Sequence, residues 1–96
     1  MKVNFKKSSL KNKKMKAIFK DNDKIKTIHF GAAGMSDYTK HKDNQRRDNF
    51  KKRFNKLIEK NKNNPFSPMT LSNLILWNKP TLEASIRDFK NRFNLK

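Results

Sequence analysis

The hydrophobic pattern of this chain changes once, across residues 26–43, KTIHFGAAGMSDYTKHKD. Before this stretch, apolar and polar side chains alternate as in β-strands, and after it apolar side chains recur at helical spacing. Both glycines of the chain, Gly31 and Gly34, lie within the stretch. Because glycine enters positive φ without a steric penalty, we expect a tight junction between an extended half and a helical half.

The segment before the junction contains a predicted β-hairpin over residues 15–30. Apolar and polar side chains alternate in MKAIFK, residues 15–20, and β-branched residues are frequent in KIKTIHF, residues 24–30. The intervening DND, residues 21–23, favours a turn because Asn and Asp tolerate left-handed backbone.

Residues 1–14 form a basic N-terminal segment without any acidic side chain. Val3 and Phe5 alternate with lysine and asparagine, which predicts a short edge strand, and the polar residues 8–14 predict a mobile loop. The extended half is therefore either the hairpin alone or a three-stranded meander.

The first of three predicted helices follows the junction, with Asp43 as its N-cap. Its apolar residues recur at i, i+4, i+7 and i+8, which predicts one buried face: Phe50, Phe54, Leu57 and Ile58. Asp48 and Lys52 are spaced for an ion pair. The polar, proline-containing residues 61–66 predict a linker.

The second predicted helix begins at Ser67 and Pro68, because proline is tolerated at the first helical position. Its apolar residues surround it on most sides, which predicts the most buried helix and a core role for its tryptophan: Leu71, Leu74, Ile75, Leu76 and Trp77. Pro80 ends it, and Thr81 caps a third, amphipathic helix. Two outward ion pairs are expected on that helix, Glu83–Arg87 and Asp88–Arg92.

Together these patterns predict a single α+β domain over residues 1–96. It comprises an N-terminal β-hairpin or three-stranded meander, a junction loop over residues 31–42, and a helical half of three short helices over residues 43–95. Within the junction, residues 36–39, SDYT, predict a polar loop that satisfies local backbone donors or forms part of an anion-contact surface.

The charge of the chain is its strongest functional signal. Twenty-five basic and 8 acidic residues give a formal net charge of +17, which favours a polyanionic partner. Twenty of the basic residues are lysine, and lysine favours phosphate contact without base recognition. Codon drift in an A/T-rich genome would also enrich Lys and Asn, but it does not explain the absence of acids from the first 20 residues.

We predict nucleic-acid-binding residues in the hairpin, the junction and the first helix. They are Lys16, Lys20, Lys24, Lys26, Lys40, Lys42, Arg46, Arg47, Arg53 and Lys56. Two structural roles remain open for these side chains: strand lysines discourage association of sheet edges, and helix lysines form an ordinary solvated face.

No pattern for catalysis, a cofactor or a metal occurs in the sequence. The chain has no cysteine, and His29 and His41 have no companion at a metal-ligand spacing. Ser36, Asp37 and His41 lie too close together in one loop to act as a catalytic triad. No apolar run is long enough to span a membrane and no signal peptide begins the chain, so we expect a soluble, non-catalytic protein inside a cell or a particle.

A resemblance covers roughly residues 24–95. It rests on HFG at residues 29–31, SDYT at 36–39, HKD at 41–43 and WNKPT at 77–81. These residues resemble a family of short basic proteins of unknown function encoded by large nucleocytoplasmic DNA viruses of eukaryotes. The resemblance implies a viral source, with the virion, the host cytoplasm or the virus factory as the location.

Charge and resemblance together predict a protein that binds DNA, with double-stranded DNA as the expected partner, and helps package or organise a viral genome. One alternative is a minor virion or capsid-associated protein whose positive charge contacts acidic surfaces of other virion proteins. Another is an accessory subunit acting on nucleic acid in the infected cell.

Overall fold

A three-stranded antiparallel meander begins the chain in the computed structural model, which describes residues 1–96. Its strands are β1 (Lys2–Lys7), β2 (Lys13–Asp21) and β3 (Lys24–Ala32), in the spatial order β1-β2-β3. Of the two expected forms of the extended half, the meander is therefore the one observed. The short edge strand predicted at Val3 and Phe5 is β1, and the Val3 N–H also donates to the carbonyl of Lys96 at 2.9 Å.

Several short helices follow the meander, which confirms the α+β fold class. They are α1 (Tyr38–His41), α2 (Asn44–Arg53), α3 (Asn55–Asn61), α4 (Pro68–Leu71), which continues as a π-helical turn over Ser72–Leu76, and α5 (Leu82–Arg92). The expectation of three helices was too simple. Phe54 leaves helical geometry, at φ −106° and ψ 16°, and divides the first predicted helix into α2 and α3.

The three predicted helix caps are confirmed. The Asp43 carboxylate accepts from the backbone N–H groups of residues 45 and 46. The Ser67 hydroxyl accepts from the N–H of residue 70, with Pro68 in the first helical turn, and the Thr81 hydroxyl accepts from the N–H of Ala84. Each cap satisfies N–H groups that a helix leaves without an internal partner.

The core lies between one face of the meander and the last two helical segments. Its fully buried apolar residues are Val3, Ala17, Phe19, Phe30, Leu71, Leu74, Ile75, Leu76 and Phe89. The segment made of α4 and the π-helical turn supplies four of them, which confirms that this is the most buried helix.

The prediction that the first helix buries one apolar face is wrong. No residue of α2 or α3 is buried, Phe50 and Phe54 are half-exposed, and Leu57 is 48% exposed. These helices contact the rest of the domain through the ring of Phe50, stacked on Trp77 at 4.4 Å, and through hydrogen bonds such as that from Lys51 to Asn73. Trp77, which was predicted to lie in the core, is half-buried and packs against the core.

Only one of the expected i, i+4 ion pairs forms. The Arg92 guanidinium lies 2.7 Å from the Asp88 carboxylate, whereas neither Glu83–Arg87 nor Asp48–Lys52 is among the four ion pairs of the structure. The two missing pairs join exposed side chains, for which the attraction barely exceeds the entropy of holding both in place.

Candidate nucleic-acid interface

The meander has one buried face and one open face. Side chains alternate between the two faces along each strand, and directly opposed residues of paired strands share a face. Since Val3, Ala17, Phe19 and Phe30 are buried, the alternate positions form what we call the outer sheet face. It comprises Lys2, Asn4, Lys6, Lys16, Ile18, Lys20, Ile25, Thr27 and His29, and it contains no acidic residue.

Two pairs of lysines oppose each other directly on this face. The register of β1 against β2 places Lys2 opposite Lys20 and Lys6 opposite Lys16, and His29 extends the second row on β3. Directly opposed side chains have Cβ atoms about 5 Å apart, and like charges at that separation destabilise a sheet. None of these lysines takes part in an ion pair, so their charge is not neutralised within the protein.

The sheet separates the hairpin lysines that the sequence grouped together. Lys16 and Lys20 lie on the outer sheet face, whereas Lys24 and Lys26 lie on the opposite face, where the Lys26 ammonium sits 4.5 Å from the ring centroid of Phe66. Lys2 and Lys6, which complete the two rows, were not among the predicted residues. Their alternation with Val3 and Phe5 was visible in the sequence, but only the strand register shows which lysines they face.

The junction contains a buried ion pair and not only a loop. Tyr38 begins α1 instead of continuing the expected polar loop. Asp37 does satisfy a local backbone donor, as predicted, because its carboxylate caps α1 by accepting from Thr39 through both its N–H, at 2.9 Å, and its hydroxyl. Lys14 donates to the other carboxylate oxygen of Asp37 at 2.6 Å. Burial alone would raise the pKa of Asp37, but the hydrogen bonds from Lys14 and Thr39 and the charge of Lys14 hold that pKa below its ordinary value.

Both glycines have the positive φ expected of the junction. Gly31, within β3, has φ +80°, and Gly34, in the following turn, has φ +83°. A Cβ atom on Gly31 would lie 2.7 Å from Cδ1 of Leu76 and 3.2 Å from Cβ of Lys14, whereas one on Gly34 would meet nothing within 4 Å. Gly31 therefore allows close approach of the last turn of the buried helix to the sheet.

The neighbouring residues Arg46 and Arg47 have different surroundings. Arg46 is exposed, but the Arg47 guanidinium lies 4.7 Å from the Tyr38 ring centroid and donates to the carbonyl of Asn78 at 3.2 Å. Arg47 therefore holds α2 against α1 and the segment after the π-helical turn, and its guanidinium already has partners within the protein.

The remaining predicted residues are exposed and lie outside the sheet. Lys40 and Lys42 flank the end of α1, where Lys42 donates to the carbonyl of Thr39 at 3.0 Å. Arg53 and Lys56 lie on either side of the break between α2 and α3. None of these four residues lies on the outer sheet face.

Lys51 is a cation that the sequence analysis did not single out. Its ammonium group donates to the side-chain oxygen of Asn73, in the π-helical turn, at 2.6 Å. Burial lowers its pKa, and the nearby charges of Arg47 and Arg92 lower it further. No sequence signal distinguished Lys51 from Lys52, because the contact depends on how α2 meets the π-helical turn.

A cleft opens between the junction, α2 and the π-helical turn, with a volume of about 440 Å³. Aromatic rings of Phe50, Phe54 and Trp77 line it, and Arg46 and Arg53 lie at its wall on the α2 side. The Lys14–Asp37 pair lies on the junction side.

The structure also bears on metals and membranes. No three His, Cys, Asp or Glu side chains lie close enough together to hold a metal ion. None of the helices combines the length and the apolar character required to cross a bilayer.

The comparisons with known proteins identify one relationship. The model of a family of unknown function, DUF5754, matches residues 3–54, which include the meander, the junction, α1 and α2. No curated protein matches the chain, and no solved structure does. Because the match spans more than half of the 96 residues, the chain belongs to the DUF5754 family.

Proposed function

We propose that this protein is a non-catalytic binder of double-stranded DNA that uses its outer sheet face and reads little of the base sequence. The observation that carries the proposal is the pair of opposed lysine rows, Lys2 with Lys20 and Lys6 with Lys16. In the free protein the two lysines of each row repel each other. Phosphate groups convert that repulsion into attraction and release counterions from the DNA, which favours binding.

The geometry of the face suits contact with a phosphate backbone. The two rows are four residues apart, about 13 Å along the strands, and the ammonium groups stand on a hydrogen-bonded sheet. Asn4 and Thr27 lie between the rows and supply polar side chains that can donate to phosphate or sugar oxygens. Lysine acts as a mobile point charge, so contacts of this type position DNA without distinguishing bases.

The source and role of the DNA rest on the resemblance described above. Similarity to proteins of large nucleocytoplasmic DNA viruses supports a viral genome as the target and its packaging or organisation, in the virion or the virus factory, as the role. The competing proposal is a capsid-associated protein whose lysine rows meet an acidic protein surface.

Salt titration of DNA binding tests the proposal. The affinity of the protein for duplexes of unrelated sequence is measured at several salt concentrations, beside a variant in which Lys2, Lys6, Lys16 and Lys20 are replaced by Gln. Each phosphate neutralised contributes about −0.9 to the slope of log affinity against log salt. If each lysine contacts one phosphate, the variant loses about three to four units of slope and binds every duplex more weakly.

A charge-matched control separates this surface from net charge alone. Lys52, Lys60, Lys62 and Lys79 are exposed in the helical half, and their replacement by Gln removes the same charge. We expect that control to change the slope by less than about one unit. Equal losses in the two variants, or micromolar binding that vanishes by about 0.15 M salt in the parent, would count against DNA packaging.

A further inference from the structure

The cleft beside α2 has features that duplex binding by the outer sheet face does not explain. One side of α2 turns toward it with residues at i, i+3, i+4 and i+7: Arg46, Asn49, Phe50 and Arg53. This spacing makes one continuous helix face. Phe50, Phe54 and Trp77 remain half-exposed there, although burial of such rings would stabilise the domain.

The charge of the cleft is positive on one side only. Lys14 and Asp37 neutralise each other on the junction side, and the Asp37 oxygens also accept from Thr39. Arg46 and Arg53 have no acidic partner among the four ion pairs, and two helical turns, about 10 Å, separate them. The cleft thus combines an aromatic wall with two guanidinium groups that have no acidic partner, of which that of Arg53 lies 5.2 Å from the ring centroid of Phe54.

We propose that this cleft binds a nucleotide, with the base against the aromatic rings and the phosphate at Arg46 or Arg53. A volume of about 440 Å³ lies within the roughly 300–1,000 Å³ typical of small-molecule sites. Aromatic side chains stack with unpaired bases of any sequence, and guanidinium groups pair with phosphate in a fixed bidentate geometry. Asn49 uses its side-chain oxygen to accept from Gln45, which leaves its amide N–H groups for a base edge.

This inference does not depend on the role of the outer sheet face. The ligand is either a free nucleotide or an unpaired nucleotide in a single strand, because both present the same base and phosphate. A base within a duplex is stacked and paired and cannot enter the cleft.

Trp77 makes the test direct, because it is the only tryptophan of the chain and it lines the cleft. Its fluorescence is followed while dAMP, deoxyadenosine or inorganic phosphate is added. We expect dAMP to give a saturable change and each of the other two probes to bind at least tenfold more weakly. A decamer of deoxyadenosine nucleotides, compared with free dAMP, identifies the source: tighter binding of the decamer assigns the site to single strands, and equal binding per nucleotide assigns it to free nucleotides.

Variants locate the binding. Replacing both Arg46 and Arg53 by Gln is expected to weaken dAMP binding at least tenfold and to leave the weak binding of deoxyadenosine unchanged. The control replaces Lys52 and Lys60, exposed residues outside the cleft, by Gln, with the same loss of charge and little effect on dAMP. The proposal is overturned if the control loses as much affinity, if phosphate alone binds as well as dAMP, or if dAMP leaves Trp77 fluorescence unchanged.

The dAMP titration also distinguishes this proposal from the proposal that the outer sheet face binds duplex DNA. Replacing the four outer-face lysines by Gln should leave dAMP binding intact, because none of them lines the cleft. A loss of dAMP affinity in that folded variant would overturn the assignment of the nucleotide to the cleft.

Discussion

The outer sheet face and the helical half are both basic, but they use their positive charge differently. On the outer sheet face, lysines oppose one another across strands and none has an acidic partner. In the helical half, several cations have fixed partners: Arg47 contacts Tyr38 and Asn78, Lys51 donates to Asn73, and Arg92 pairs with Asp88 within α5.

This difference shows that net charge does not by itself locate a binding surface. The charge that stabilises helix contacts is partly desolvated and has fixed partners, so an incoming phosphate would have to displace them. The charge on the outer sheet face has no partner to displace. Four predictions test this comparison, each through the stability of a substituted variant. They are given from the largest expected change in stability to the smallest.

The largest effect is expected at Gly31, where the sheet meets the helical half. Gly31→Ala should lower the free energy of unfolding by about 2–4 kcal/mol, because a side chain resists positive φ and its Cβ would crowd Leu76 and Lys14. Gly34→Ala is the matched control: it has the same φ strain in open space and should cost only about 1–2 kcal/mol. Urea denaturation of both variants measures the difference, and equal costs would show that the close approach at Gly31 does not matter.

The next effect concerns Asp37, the anion that the junction pairs with Lys14. Asp37→Asn should cost about 1–3 kcal/mol at pH 7, because it removes the charge that Lys14 and Thr39 contact. The folded-state pKa of Asp37 lies below its ordinary value of 3.8, so the carboxylate stabilises the fold above that pH and the contribution is lost as pH falls through the folded-state pKa.

Urea denaturation between pH 5 and pH 2 checks the sign of this dependence. The parent should lose more stability on acidification than the Asp37→Asn variant, since the variant has no carboxylate to protonate at this position. Parallel loss in the two proteins would mean that the ion pair is not a source of stability.

A smaller effect separates two neighbouring arginines. Arg47→Gln should destabilise the domain by about 1–2 kcal/mol, because it removes the contact with the Tyr38 ring and the hydrogen bond to Asn78. Arg46→Gln should stay within about 0.5 kcal/mol of the parent, since Arg46 is exposed. Thermal melts of the two variants measure the difference in stability. A larger destabilisation by Arg46→Gln than by Arg47→Gln would contradict the prediction.

The smallest expected effect is an increase in stability. Lys6→Gln should stabilise the free protein by about 0.2–1 kcal/mol, because it relieves the repulsion with Lys16 across the strands, and it should weaken duplex binding at the same time. Lys52→Gln, on the helical surface, serves as the control and should change neither quantity noticeably. Destabilisation by Lys6→Gln would show that the opposed lysines are compensated within the protein.

Features that depend on neighbouring residues were predictable from the sequence. The caps at Asp43, Ser67 and Thr81 require only a short polar side chain within reach of the next two or three N–H groups. The alternation in the meander and the burial of the segment around Ile75 likewise follow from local hydrophobic pattern. The end of the first helix at Phe54 was not predictable, because the apolar spacing continued beyond it.

The sequence by itself therefore determined the order of the elements, the position of the junction and the excess of positive charge. Tertiary structure alone decided which charges remain free. Shifting a strand by one residue exchanges its two faces, so the register of β1 against β2 decides that Lys2 and Lys6 join Lys20 and Lys16. In the same way, the packing of α2 turns Arg47 toward Tyr38 and leaves Arg46 at the cleft, although the two residues are adjacent in the chain.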